Sequence, residues 1–173
     1  EGADVSIYYD FDTDFGSFKV TVPSSITDKF YQTPVPEFQV IQDEIAAGAI
    51  PAYLTIEGYG NLLQTNDIGA DQKDTIKVNY RNGDWGGSFS ALRIGEAYDL
   101  GNKLTDGTPW KIESMTTMNL GVYKKFEING NNARIKLMIK NIADERAPLA
   151  DGYLGFFSDM HRDLGRNYYL DFK

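Results

Sequence analysis

Residues 163–173 read DLGRNYYLDFK. Tyr168, Leu170 and Phe172 put apolar side chains at every second position, and Asn167, Tyr169 and Asp171 occupy the alternate ones. A period of two marks a strand with one apolar and one polar face. Chain ends fray unless something ties them down, so a regular, aromatic-rich strand here needs a structural reason. The segment before it repeats the pattern more clearly. In ARIKLMIKN (133–141), Ala133, Ile135, Leu137 and Ile139 share one face, and Arg134, Lys136, Met138 and Lys140 share the other.

Working outward, the same alternation recurs along most of the chain. Val5, Ile7, Tyr9 and Phe11 open it, DTDFG (12–16) turns it, and Phe18, Val20 and Val22 follow until Pro23, which is expected to end that run. PEFQVIQDEIAAG (36–48) instead spaces Phe38, Ile41 and Ile45 as a helix does, with Gly48 as its C′ residue. AYLTIEGYGNLLQTND (52–67) reads either as a short hairpin or as ordered loop. Ile76, Val78 and Tyr80 restart the alternation, and NGDWGG (82–87) turns it. SFSALRIGEAYDL (88–100) is extended, of unclear parity, with Gly95 a candidate bulge. After the loop GNKLTDGTP (101–109), a long run from Trp110 to Ile128 carries Met118, Leu120, Val122 and Phe126 on one face. Asn129-Gly130 then predicts a type I′ hairpin, because that turn needs positive φ at both central residues.

The result is an all-β, antiparallel up-and-down meander of seven or so strands whose connections are sorted by side. Those at 12–16, 82–87 and 129–132 are short; those at 23–73, 99–109 and 143–165 are longer. Phe11, Phe15, Tyr80, Trp85, Phe126 and Phe172 all fall at the short-turn end. Short turns on one side, long loops on the other and an aromatic girdle characterise transmembrane β-barrels. A soluble β-sandwich mixes its connections, because Greek-key links cross between sheets.

Composition narrows the field without deciding it. The net charge of −8 and isoelectric point near 4.6 argue against a nucleic-acid partner, whose phosphates require a basic face. With no cysteine there is neither a disulfide framework nor a thiolate metal site. No apolar run reaches the roughly 18 residues of a membrane helix, and the mean hydropathy of −0.39 is compatible both with water and with barrel strands. EGADVSIYYDF (1–11) opens directly in a strand pattern, with no basic or apolar leader, and is expected to be a piece of something longer.

SMTTMNLGVYKKFEINGNNARIKLMIKNIADERAPLADGYLGFFSDMHRDLGRNYYLDF (114–172) resembles the C-terminal end of TonB-dependent outer-membrane receptors. Two motifs carry the resemblance: Asn141-Ile142-Ala143-Asp144 at the end of the penultimate strand, and Gly165-Arg166-Asn167-Tyr168-Tyr169 opening the last. GYGNLLQTNDIGADQKDTIKVNY (58–80) and GDWGGSFSALRIG (83–95) look like preceding strands of the same family, so the likeness covers about 56–172 well and the first fifty residues loosely. It implies that residues 1–173 are the last seven strands of a twenty-two-stranded barrel, unable to close alone, with extracellular loops at about 23–73 and 143–165. The N-terminal plug with its TonB-contacting segment is absent from this stretch. Asp163, Gly165, Tyr168, Leu170 and Phe172 fit the family's terminal assembly signal, which accounts for the regular final strand: it seals a cylinder whose edges cannot stay unpaired in lipid. Asn141, Asp144, Arg146 and Arg166 belong to the same closing motifs. Lys173 follows the expected terminal aromatic, and Lys124 stands on the lipid-facing parity where an aromatic is expected; it either snorkels or is turned inward by a bulge.

The function implied is energy-coupled uptake of a scarce nutrient (siderophore, cobalamin or carbohydrate) at the bacterial outer membrane. Its partners would be outer-membrane lipid, the barrel assembly machinery, the TonB complex through the missing N-terminal part, and a small-molecule nutrient. No cofactor is expected and no enzyme activity: Asp144, Glu145 and Arg146 are adjacent, whereas an acid/base pair needs carboxylates facing across a cleft. Asp159, His161 and Asp163 alternate and are weak metal-ligand candidates, against pairing with Arg162 and Arg166. Arg134, Lys136, Lys140, Asn167 and Tyr169 are assigned to the polar, lumenal face, to pair with carboxylates of the plug or of neighbouring strands or to guide an anionic solute. Tyr31, Phe38, Tyr53 and Tyr59, in or beside the 33–71 loop, either stack on a ligand or pack the loop. The alternative is a soluble β-sandwich that binds a ligand such as a carbohydrate. It requires a second layer over Ile135, Leu137, Ile139, Tyr168 and Leu170.

Overall fold

The computed structural model describes residues 1–51, 60–63 and 69–173. In chain order the elements are β1 (Gly2–Thr13), β2 (Gly16–Thr27), β3 (Tyr31–Gln32), α1 (Pro36–Ala46), β4 (Gly60–Asn61), β5 (Gln72–Asn82), β6 (Trp85–Ile94), β7 (Ala97–Lys103), β8 (Pro109–Ile112), β9 (Met115–Ile128), β10 (Asn131–Lys140) and β11 (Asn167–Phe172). Seven strands form one antiparallel sheet in the order β1-β2-β5-β6-β9-β10-β11, and the pairs β3-β4 and β7-β8 stand apart from it. The expected meander of seven strands is therefore what the chain forms. Among the described residues the sheet is open: β1 pairs only with β2, and β11 only with β10.

The three short connections, 14–15, 83–84 and 129–130, are two-residue turns at the same end of the sheet. Asn129 (φ 51°) and Gly130 (φ 79°) both take the left-handed conformation that such a hairpin demands. All the longer links, including helix α1, lie at the other end. The helix starts with proline, which lacks an N–H it would not use there, and Gly48 (φ 75°) follows its C-terminus as expected.

Register partners show how the two faces are built. Phe11, Phe18, Tyr80, Gly87, Val122, Leu137 and Leu170 face one another strand by strand across the whole sheet. One residue along, Asp12, Ser17, Arg81, Gly86, Tyr123, Lys136 and Asp171 form the matching row of the opposite face. A one-residue slip would exchange the faces; none occurs in these ladders. At the short-turn end Phe11 stacks on Phe18 (5.0 Å between centroids), Phe18 meets Tyr80 (5.0 Å) and Phe126 meets Phe172 (6.2 Å). The Tyr80 hydroxyl donates to the Phe15 carbonyl at 2.6 Å, which holds the first turn against the third sheet strand.

The apolar face stays exposed. Ile7 is 59% accessible, Leu137 46% and Leu170 72%, and no second layer lies over Ile135, Leu137, Tyr168 or Leu170 among the described residues. Among the described residues the buried apolar side chains are instead Leu62, Ala97, Ile112 and Met115, at or beside the long-loop end.

Three expectations need correction, and the two alternatives for Lys124 are narrowed to one. Strand β2 runs through Pro23 to Thr27. Proline has no N–H to donate, and Val22 and Pro23 have no register partner on β5, but the β1 ladder continues through Ser6↔Pro23 and carries the strand on. Gly95 is no bulge: the β5–β6 register is unbroken from Lys73↔Ile94 to Asn82↔Trp85, and the chain leaves the sheet at Gly95. A β-carbon there would stand 3.0 Å from the Gln72 carbonyl oxygen, to which Gly95 donates its own N–H. Residues 88–100 and 110–128 are accordingly not two long strands; their ends pair as the separate β7–β8 hairpin, so the 99–109 loop belongs to a longer link, 95–114. Lys124 is not turned inward by a bulge, since it keeps register with both Trp85 and Ile135, and its Nζ lies 5.0 Å from the Trp85 ring centroid.

Candidate functional site

The two closing motifs meet in space. Asn141 ends β10 in the left-handed region (φ 53°), where asparagine is tolerated better than most residues, and it is 6% exposed. Its Oδ1 accepts the Glu145 N–H (2.9 Å) and its Nδ2 donates to the Glu145 carbonyl (2.8 Å), so one side chain closes a tight turn. Its own N–H donates to Oδ1 of Asn119 on β9 (3.0 Å), and Asn119 Nδ2 reaches Ser90 Oγ on β6 (3.2 Å). The turn is thereby tied to the sheet through two strands.

From that turn Asp144 reaches across to the final strand. Its Oδ1 accepts the Arg166 N–H at 2.7 Å. Gly165 (φ 64°) brings the backbone close: a β-carbon there would lie 3.1 Å from the same oxygen. Asn167 Nδ2 donates back to the Leu164 and Gly165 carbonyls, and β11 then begins opposite Lys140. Beyond Phe172, Lys173 and Arg134 exchange both backbone hydrogen bonds (2.9 and 2.8 Å), so pairing continues to the last residue.

Arg146 and Asp163 clamp the base of the intervening loop. The guanidinium donates to both Asp163 oxygens, and Asp163 Oδ1 also accepts the Ala147 N–H at 2.9 Å. The Arg146 hydrogen bonds, followed by the Ala147 N–H, hold the Asp163 carboxyl down at about 2, and the same contact raises the Arg146 guanidinium.

The trio of Asp159, His161 and Asp163 does not assemble. Residues 158–160 form a turn in which the Met160 and His161 N–H groups both donate to the Phe157 carbonyl, so alternation is lost. Asp159 is exposed, Asp163 is committed to Arg146 rather than to Arg162 or Arg166, and His161 is 1% exposed with neither ring nitrogen hydrogen-bonded to any described residue. Burial pushes the His161 imidazole below its ordinary value and keeps it neutral. No group of three or more His, Cys, Asp or Glu side chains capable of holding a metal occurs among the described residues.

Arg134, Lys136, Lys140, Asn167 and Tyr169 share the polar face, as their parity requires. Arg134 pairs with Asp171 of the neighbouring strand (3.7 Å), while Lys140 lies over the Tyr169 ring (4.8 Å). Lys19 pairs with Asp10 (3.0 Å). Lys19, Arg81, Tyr123, Arg134 and Lys136 line a concavity of about 590 Å³ on this face, a cationic surface within an acidic chain. Of the aromatic loop candidates, Tyr31 and Phe38 are exposed; Tyr53 and Tyr59 lie outside the described residues. Periodicity identified the polar-face residues but missed Asn119 and Tyr123, whose parity on β9 was the available signal. Comparison with protein-family models, curated proteins and solved structures finds no match.

Proposed function

We propose that these residues are the C-terminal wall of a TonB-dependent receptor in the bacterial outer membrane, which takes up a scarce small-molecule nutrient with energy supplied through TonB. One observation carries the reading: a seven-stranded antiparallel sheet has an apolar face that no second layer covers among the described residues, while each two-residue hairpin turn of that sheet lies at one end. In water such a face is an association or aggregation surface; in lipid it is the outer wall of a barrel. The aromatic contacts among Phe11, Phe18 and Tyr80, and between Phe126 and Phe172, support an interfacial girdle. The two open edges support continuation into further strands, since open edges are not tolerated in hydrocarbon. On this reading the cationic polar face lines the bore, and the assembly machinery and lipid are the partners of the apolar face.

The absence of native cysteine in this stretch makes the test direct. Single cysteines at 122, 137 and 170, and at 123, 136 and 138, are introduced into the protein expressed from its own gene and labelled in isolated outer membranes. The second set should react with a water-soluble maleimide, whereas the first should resist that reagent and react only with a lipid-soluble one. Recovery of the protein in the soluble fraction, with the first set shielded from both reagents, would instead favour the soluble sandwich.

A further inference from the structure

The β7–β8 hairpin and the loop after β10 flank an open, shallow cleft of about 570 Å³ at the long-loop end. One wall is Trp110. Its indole N–H donates to the Leu149 carbonyl at 2.9 Å, which fixes the ring, yet the residue remains 39% exposed. The other wall is polar and held in place. Asn102 Nδ2 donates both to Asp99 (2.8 Å) and to Asp151 (2.9 Å), which leaves Asn102 Oδ1 and the second Asp151 oxygen as acceptors. Asp99 is 3% exposed and also accepts the Gly101 N–H, so it anchors the amide from behind. Leu104 (47% exposed) and Leu149 (73%) extend the apolar rim, and Lys103 lines the same cleft.

We infer that this cleft binds a neutral saccharide. A sugar ring offers a C–H face to an indole and a rim of hydroxyls to a planar amide and a carboxylate; a fixed aromatic wall beside preordered acceptors matches both. Electrostatics decides against the other plausible solute. An anionic iron chelate needs converging cations, whereas the described lining of this cleft holds one cation, Lys103, together with the carboxylate of Asp151. The inference names the solute class of the proposed receptor and rests on that reading for its place in uptake; binding at the cleft can be measured apart from it.

The test uses the whole protein from its own gene, with maltotetraose, cellotetraose, xylotetraose and chitotetraose as probes and a ferric hydroxamate as comparator, by calorimetry. At least one tetrasaccharide should bind. Trp110→Ala should weaken it tenfold or more, and Trp110→Phe, which retains a ring, by only a few-fold. Leu104→Arg, at an exposed position, should block binding in a folded protein even where Trp110→Ala misfolds. No binding of any saccharide, binding unchanged in Leu104→Arg, or binding of the ferric hydroxamate in their place would overturn the inference. Saccharide binding by a protein found outside the membrane would reject the receptor reading and keep the cleft; a membrane receptor that binds none would do the reverse.

Discussion

The phenol ring of Tyr123 lies across Gly86, its register partner on the neighbouring strand, and fills the space that a β-carbon at Gly86 would need. Glycine weakens a strand because it brings no side chain to pack, and an aromatic ring laid over it restores the missing contact. Gly86→Ala forces the ring away and is expected to cost about 1–3 kcal/mol, the usual penalty of overpacking. Adding Tyr123→Ala should recover part of that loss, since touching residues are coupled. Denaturant unfolding of the four-variant cycle measures this, and strict additivity would show that the two residues act independently.

Asn141 combines a left-handed backbone with two hydrogen bonds to Glu145. Asn141→Ala removes both bonds and leaves alanine at φ 53°; Asn141→Gly removes the bonds alone. Loss of a buried bonded group costs about 1–3 kcal/mol, and the left-handed backbone adds about 1–2 kcal/mol for a residue with a β-carbon. The alanine variant should therefore be the less stable by about 1–2 kcal/mol. Both should speed hydrogen exchange at the Glu145 amide, and equal stabilities would remove the backbone component.

The loop from 147 to 163 should loosen in acid through two groups. His161 is held below its ordinary 6.5 by burial, so the stabilisation from keeping it neutral is complete above that pH and declines as pH falls below it. Asp163 is lowered from 3.8 to about 2 by Arg146, so its contribution is complete above about 4 and is lost as pH falls through about 2. Hydrogen exchange across the loop should rise in both windows. Asp163→Asn should remove the lower step and leave the upper; a single unchanged step would contradict the assignment.

Leu137 lies between Val122 and Leu170 on the apolar face. In the proposed barrel Leu137→Arg puts a charge against hydrocarbon, at about 2–4 kcal/mol near the bilayer midplane. At a water-exposed position the same change is worth within about 0.5 kcal/mol. Unfolding in lipid vesicles separates the two, and a near-zero cost would sink the membrane face.

Lys124 sits over Trp85 on that same face. Trp85→Ala removes the contact and should cost about 0.5–2 kcal/mol, while Lys124→Arg, which keeps a cation over the ring, should be close to neutral. Urea titration in vesicles compares them; equal losses would show that the pair matters through something other than its charge.

Seven sheet strands, the parity of all but β6, the places of the three short turns and helix α1 were legible from residue order, because each rests on a period of two, a period of 3.6 or a turn residue within a few positions. The partners within the loops were not. Nothing in a local pattern says that Asp163 takes Arg146 instead of Arg162, that His161 loses its water, or that Trp110 lines an open cleft with Asp151. Those outcomes depend on how segments tens of residues apart are folded back against one another. Even Pro23 remained within a strand because the β1 ladder beside it held, which no reading of β2 by itself contains.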